Sequence, residues 1–82
     1  MERTIRSLVI IGAKYISKMS DKELEDYDLW IRDYIKQLEK RGRKFTKKER
    51  DLIYRLVAGI IKKYGNYDER YHLYLIGRAL EK

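Results

Sequence analysis

The chain lacks cysteine and proline altogether, and it contains a single histidine, His72. Without cysteine it can form neither a disulfide nor a thiolate metal site, and one histidine leaves few other metal ligands. The longest apolar run, residues 8–13, is far below the roughly 18 residues of a membrane span, and no signal-peptide pattern precedes it. We therefore expect a soluble, cytoplasmic protein with no cofactor, no metal and no membrane contact.

Side-chain amides are also scarce, since Gln37 and Asn66 are the single examples of their types. Scarce amides together with abundant mixed charge are typical of hyperthermophile proteins, and this bias predicts a thermophilic source such as an archaeon or an archaeal virus or plasmid. The net charge of +7 favours an acidic partner, with nucleic acid as the first candidate. Thermophilic proteins are often rich in lysine for unrelated reasons, which leaves a second interpretation of the charge.

The spacing of apolar residues predicts four helices within one domain, residues 1–82. The first helix covers about 3–18. The second begins at a capping box opened by Ser20 and ends near 41 at Gly42, and the third begins at a capping box opened by Thr46 and ends at Gly65 and Asn66. The fourth starts near Asp68 and runs almost to the C-terminus. Because the connections are short, we expect a compact all-α four-helix arrangement.

Each predicted helix carries one apolar stripe that we expect to form the core. The stripes are Ile5, Leu8, Val9, Gly12, Ile16 and Met19; Leu24, Tyr27, Ile31, Tyr34, Ile35 and Leu38; Ile53, Leu56, Val57, Ile60 and Tyr64; and Leu73, Ile76, Gly77 and Leu80. Residues 8–15 weakly resemble 56–64, and 27–31 resemble 71–75. Two related helical hairpins would produce this similarity, and so would convergence between amphipathic helices.

Charge is divided unevenly along the chain. Residues 21–35 contain six acids and two bases, whereas residues 36–50 contain eight bases and two acids. The acids lie near the start of the second helix, where the helix dipole favours them. The bases lie partly in a loop and at the start of the third helix, where the dipole disfavours cations.

We expect these cations, with two further along the third helix, to bind phosphates. The candidates are Lys40, Arg41, Arg43, Lys44, Lys47, Lys48, Arg55 and Lys62. Lys48, Arg55 and Lys62 are seven residues apart and would form a ridge, with small Ala58 and Gly59 allowing close approach of the ligand. A solvated helix face is the competing interpretation.

Several apolar residues lie off the predicted core stripes and suggest a protein partner. Leu29 projects among charged residues, Trp30 lies at the edge of its stripe, and Tyr71 and Leu75 lie away from the core face of the fourth helix. A helix that is apolar on more than one side is usually buried on more than one side. These four residues are the candidate partner contacts, although Trp30 could instead fill a seam between helices.

Catalysis finds no support in the sequence. There is no cysteine nucleophile, the serines have no recognisable His/Asp arrangement, and the glycines are isolated and so form no phosphate loop. His72 is interpreted as a packed or surface residue. We therefore expect a protein that is not an enzyme.

One segment has a local resemblance to a known family. Thr46-Lys47-Lys48-Glu49 and Leu56-Val57-Ala58 resemble the two ends of the first helix of the LuxR-type helix-turn-helix, which often reads Leu-Thr-x-Arg-Glu and then Leu-Val-Ala. The resemblance covers residues 45–59 and needs a one-residue insertion. It implies a DNA-binding element, but the base-reading helix of that family is not recognisable after Gly59, so no functional residue is carried over.

The sequence therefore predicts a non-enzymatic accessory protein that binds DNA or RNA through phosphate contacts, with little reading of base sequence. The alternative is a protein–protein interaction module, either a homodimer or an adaptor subunit of a larger complex, with no nucleic-acid role.

Overall fold

The computed structural model describes residues 3–42, 44–65 and 68–81, and these residues form four α-helices. The helices are α1 (Arg3–Ser17), α2 (Asp21–Glu39), α3 (Lys47–Tyr64) and α4 (Glu69–Leu80). No strand occurs in these ranges, and the predicted all-α four-helix arrangement is confirmed. None of the four helices, over the residues described, has both the length and the apolar character that crossing a bilayer requires.

Three helices begin where side chains satisfy the first backbone N–H groups. The Ser20 hydroxyl accepts a hydrogen bond from the Glu23 N–H (3.2 Å), and the Glu23 carboxylate accepts one from the Ser20 N–H (3.0 Å). Hydrogen bonding to the backbone N–H and the side chain of Ser20 lowers the pKa of the Glu23 carboxyl group. Thr46 and Glu49 form the same reciprocal pair at the start of α3. Both predicted capping boxes are confirmed, and Asp68 caps α4.

Of the helix ends predicted from the sequence, that of α3 is confirmed and that of α2 is not. Gly65 ends α3 in the left-handed conformation (φ 77°), as its position predicts. The helix α2 stops at Glu39, two residues before the predicted end, and Gly42 does not adopt a positive φ. Lys40 keeps a right-handed helical conformation, and the Arg41 N–H donates to the Leu38 carbonyl (3.0 Å), so the end of α2 tightens instead of reversing. Asn66, predicted to help end α3, lies outside the described residues.

The helix α3 lies at the centre of the molecule, because residues 56–60 are buried on every side. The helix α1 packs most extensively on it. A Cβ atom added to Gly12 would overlap the Arg55 carbonyl, and one added to Gly59 would overlap the Leu8 carbonyl. The two helices therefore cross with their backbones in direct contact, an approach that only glycine allows.

The helix α2 packs on α3 through large side chains. Tyr27, Ile31, Tyr34 and Ile35 are its buried residues, as the stripe predicts. The Tyr27 hydroxyl donates a hydrogen bond to the Tyr54 carbonyl of α3 (2.6 Å), and the two rings lie 5.0 Å apart between centroids. Burial raises the pKa of the Tyr27 hydroxyl, so it stays a donor.

The helix α4 presents a different face to the core from the one predicted. His72, Leu75 and Ile76 are buried, whereas Leu73 is half-buried and Gly77 is exposed. The assignment of Leu75 to a partner contact is therefore wrong, since only 3 % of it is exposed. The hydropathy pattern treats histidine as polar, but His72 satisfies one ring nitrogen locally, because Nδ1 lies 2.6 Å from the Asp68 carbonyl oxygen. Its ring can then enter the core and shift the face.

The prediction that Tyr64 belongs to the core is also wrong, since 45 % of this residue is exposed. Tyr64 is the last residue of α3. Its ring packs edge-on against Tyr71 of α4, with centroids 5.3 Å apart.

Candidate nucleic-acid interface

The predicted phosphate-binding cations lie on the surface. Those within the described residues are all exposed: Lys40, Arg41, Lys44, Lys47, Lys48, Arg55 and Lys62. Arg43 lies outside the described residues. The exposed cations fall into three groups by position, of which the first two adjoin at Lys47 and Lys48.

The first group, the connection cations, consists of Lys40, Arg41, Lys44 and Lys47 between the end of α2 and the start of α3. Arg41 forms an ion pair with Glu69 of α4 (Nη2 to Oε1 3.1 Å), and both side chains are more than half exposed. The three lysines form no ion pair in the part of the chain that the structure describes. An exposed pair is screened by water and salt, so Arg41 too can exchange its carboxylate for another anion.

The connection ends at the N-terminus of α3. Lys47 and Lys48 lie in the first turn of this helix, where the unpaired N–H groups and the dipole are positive. Glu49, the acid of the same turn, already binds the Thr46 N–H in the capping box. The positions of these lysines therefore do not stabilise the helix, whereas an anion there would interact favourably with both the lysines and the helix end.

The second group is Lys48 with Arg55. Both side chains line a shallow hollow between α3 and the C-terminal end of α4, together with Asp51, Leu52 and Glu81. The carboxylates in this hollow lower its positive potential. We conclude that Arg55 lies in a mixed electrostatic environment rather than on a purely basic ridge.

The third group surrounds Lys62. Its Nζ lies 5.5 Å from the centroid of the Tyr15 ring, a cation–π distance. Lys14 of α1 and Lys18, which follows the end of α1, line one hollow together with Lys62, and all three lysines are exposed. Lys62 follows Lys48 by 14 residues, which is about 21 Å along a helix. The regular spacing of Lys48, Arg55 and Lys62 in the sequence therefore does not produce one compact site.

The proposed role of Ala58 and Gly59 in admitting a phosphate is wrong. Both residues are buried, and Gly59 faces the backbone of α1 at the helix crossing. Small residues on α3 serve contact between helices, so no ligand can reach them in this fold. The sequence alone did not distinguish a small residue that admits a ligand from one that admits a neighbouring helix.

The candidate partner residues have different environments. Leu29 is 59 % exposed and Trp30 is 39 % exposed, and the Trp30 ring stacks on Tyr34 with centroids 5.4 Å apart and planes within 6°. Tyr71 is half-buried and packs against the core. With Leu75 in the core and Tyr71 half-buried, Leu29 and Trp30 of α2 are the candidate partner residues whose apolar surface is exposed.

The titratable groups inside the fold have structural partners. The Tyr54 hydroxyl donates to the Asp28 carboxylate, and burial together with this bond raises the pKa of Tyr54 to about 12. Burial lowers the pKa of His72. Within residues 3–42, 44–65 and 68–81, no three His, Asp or Glu side chains are arranged to hold a metal ion. The bond from Tyr54 to Asp28 joins α3 to α2, and the His72 ring of α4 lies edge-on to the Tyr34 ring of α2 (centroids 6.5 Å apart).

The resemblance to the first helix of a LuxR-type element does not extend to the following geometry. That element requires a turn after Gly59, but α3 continues without interruption to Tyr64. No protein-family model matches the chain, and no curated protein or solved structure matches it significantly.

Proposed function

We propose that the protein binds DNA or RNA without catalysing a reaction, through phosphate contacts centred on the connection cations and the first turn of α3. Lys40, Lys44, Lys47 and Lys48 are the principal contacts, with Arg41 joining them. Arg55 and Lys62 extend the surface along α3. In the cell such a protein would act as an accessory subunit of a nucleic-acid machine.

The observation that supports this proposal is the position of the lysines at the N-terminus of α3. Lys44, Lys47 and Lys48 are exposed there and, among the residues described, form no ion pair. Their charges oppose the helix dipole, so the fold gains no stability from them. A phosphate group would be attracted by the three ammonium groups and by the helix end together.

Binding would be driven by release of counterions from the nucleic acid. With four lysines each neutralising one phosphate, the logarithm of affinity should fall with the logarithm of salt concentration with a slope of about −3 to −4. Lysine contacts to phosphates carry no sequence information. We therefore expect similar affinities for unrelated sequences of equal length.

Fluorescence anisotropy with labelled duplex and single-stranded probes, measured at two or more salt concentrations, tests the proposal. The variant Lys44→Glu/Lys47→Glu should bind on the order of tenfold more weakly at low salt and with a shallower salt slope. The matched variant Lys18→Glu/Lys62→Glu has the same change in net charge at the opposite end of α3 and should lose less affinity. Equal losses would mean that net charge alone attracts the probe, and no binding by the wild type at micromolar concentration would refute the proposal.

A second candidate is a protein–protein interaction module, for which the exposed Leu29 provides the specific observation. A single exposed leucine is ordinary, but Trp30 beside it also retains exposed surface. Absence of nucleic-acid binding together with self-association or capture of a defined partner would favour this candidate.

A further inference from the structure

The exposed face of α1 is basic around an apolar centre. Ile10 is 49 % exposed, and Arg6 and Lys14, four residues to either side, are exposed as well. The sequence of α1 contains no acidic residue. Residues four apart lie next to one another on one helix face, so Arg6, Ile10 and Lys14 form a cation–apolar–cation triplet, here named the α1 triplet.

The exposed face of α2 carries acids four residues before and after an apolar centre, with one exposed base, Arg32, beside that centre. Leu29 is 59 % exposed, and Glu25 and Asp33, four residues to either side, are exposed. Glu25, Leu29 and Asp33 therefore form an anion–apolar–anion triplet, here named the α2 triplet. Its neighbour Asp26 is paired with Lys22 (3.2 Å).

The two triplets match each other in spacing. Each places its charges about 6 Å before and after the central apolar residue along the helix axis. Because each triplet is symmetric about its centre, the match holds for parallel and for antiparallel contact between helices. In the part of the chain that the structure describes, Arg6, Lys14, Glu25 and Asp33 form no ion pair. All four charges are thus available to a partner.

We propose that the α1 triplet of one molecule docks on the α2 triplet of a second copy of the chain. Ile10 would contact Leu29, and the two cations would pair with the two carboxylates. The occupant is a second copy because both complementary surfaces belong to this chain and face outward from it. Charges surrounding an apolar contact exclude water from it and set which surfaces pair. This contact is separate from the connection cations and does not depend on nucleic-acid binding.

Analytical ultracentrifugation of the full chain without nucleic acid tests the proposal. The wild type should self-associate at micromolar to millimolar concentration in about 0.1 M salt and dissociate in about 1 M salt, because the screening length falls from about 10 Å to about 3 Å. A monomer at every concentration in low salt would refute the proposal. Association that does not weaken in high salt would also refute it, since the charged pairs would then contribute nothing.

Charge reversal identifies the surfaces. Arg6→Glu/Lys14→Glu and Glu25→Lys/Asp33→Lys should each weaken self-association on the order of tenfold, because two attractions become repulsions. An equimolar mixture of the two variants should associate again, since the reversed α1 triplet then faces a reversed α2 triplet. If the mixture stays monomeric, or if neither variant dissociates, the two triplets are not the interface.

Two further variants separate this contact from other effects. Lys44→Glu/Lys47→Glu changes the net charge as much as Arg6→Glu/Lys14→Glu does, yet it should leave self-association unchanged. The variant Leu29→Ser should weaken self-association in low salt, because it removes the apolar contact and keeps the charges. Circular dichroism melting confirms that each variant is folded, which the exposed positions of these side chains favour.

Discussion

The helices α1 and α4 both pack on α3 but use opposite means. At the crossing of α1 and α3, Gly12 and Gly59 bring the two backbones into contact. The helix α4 instead inserts His72, Leu75 and Ile76 into the core. A contact between two backbones cannot adjust to an added atom, because both backbones belong to rigid helices. A contact between side chains can adjust by rotation about side-chain bonds. The two regions should therefore respond differently to the addition and removal of atoms.

Gly59→Ala should have the largest effect. The new methyl group would overlap the Leu8 carbonyl, so α1 must move away from α3. We expect a loss of more than about 3 kcal/mol in the free energy of unfolding, although alanine favours a helix over glycine by about 1 kcal/mol. Chemical denaturation monitored by circular dichroism measures the change.

Gly77→Ala is the matched control. Gly77 lies within α4, is exposed, and has open space where a Cβ would be placed. This substitution should stabilise the protein by about 0.5–1 kcal/mol through helix propensity alone. Equal effects at positions 59 and 77 would mean that the backbones of α1 and α3 are not in contact.

Leu75→Ala tests the side-chain packing of α4. Removing this buried side chain should cost about 2–3 kcal/mol through lost burial and a residual cavity. Leu73→Ala, at a half-buried position on the same helix, should cost about 1 kcal/mol or less. The reverse order, measured by denaturant unfolding, would restore the core face expected from the hydropathy pattern.

Tyr27→Phe tests the polar contact between α2 and α3. The hydrogen bond from its hydroxyl to the Tyr54 carbonyl should contribute about 1 kcal/mol. Tyr74→Phe serves as the control, since Tyr74 is 58 % exposed and its hydroxyl can bond to water. Equal unfolding midpoints for the two variants would show that the buried bond adds nothing to stability.

His72 should produce the smallest effect, seen only in acid. Burial lowers its pKa below the ordinary value of 6.5, so the folded protein binds a proton less readily than the unfolded chain. The stability that this difference provides is complete above pH 6.5 and is lost as the pH falls through the lower pKa of the folded state. We expect the free energy of unfolding of the wild type to fall more steeply than that of His72→Leu between about pH 7 and about pH 4, since the variant lacks this titrating group. Parallel curves would contradict the assignment of His72 as a buried neutral group.

Local signals in the sequence predicted the elements well. The capping boxes at Ser20 and Thr46 and the stop at Gly65 involve contacts within a few residues, so the sequence pattern alone carries them. The end of α2 at Glu39 was not found, because Gly42 can adopt a left-handed conformation but is not compelled to.

The candidate site could be predicted only in part. The clustering of lysines between α2 and α3 follows from chain order, and their exposure agrees with that expectation. The carboxylates beside Arg55 come from α3 and the end of α4, and Lys14 joins Lys62 from α1. These neighbours are distant in sequence, so their electrostatic effects appear only when the helices are packed.

The sequence by itself determined four helices and the capping boxes that begin α2 and α3, because periodicity and capping are properties of neighbouring residues. Only the tertiary structure decided that Gly12 and Gly59 join two backbones, that Leu75 and His72 are in the core, and that the predicted basic surface is divided. A helix such as α4 has more than one apolar face, and the face that enters the core is the one whose side chains fit the shapes of the side chains on the neighbouring helices.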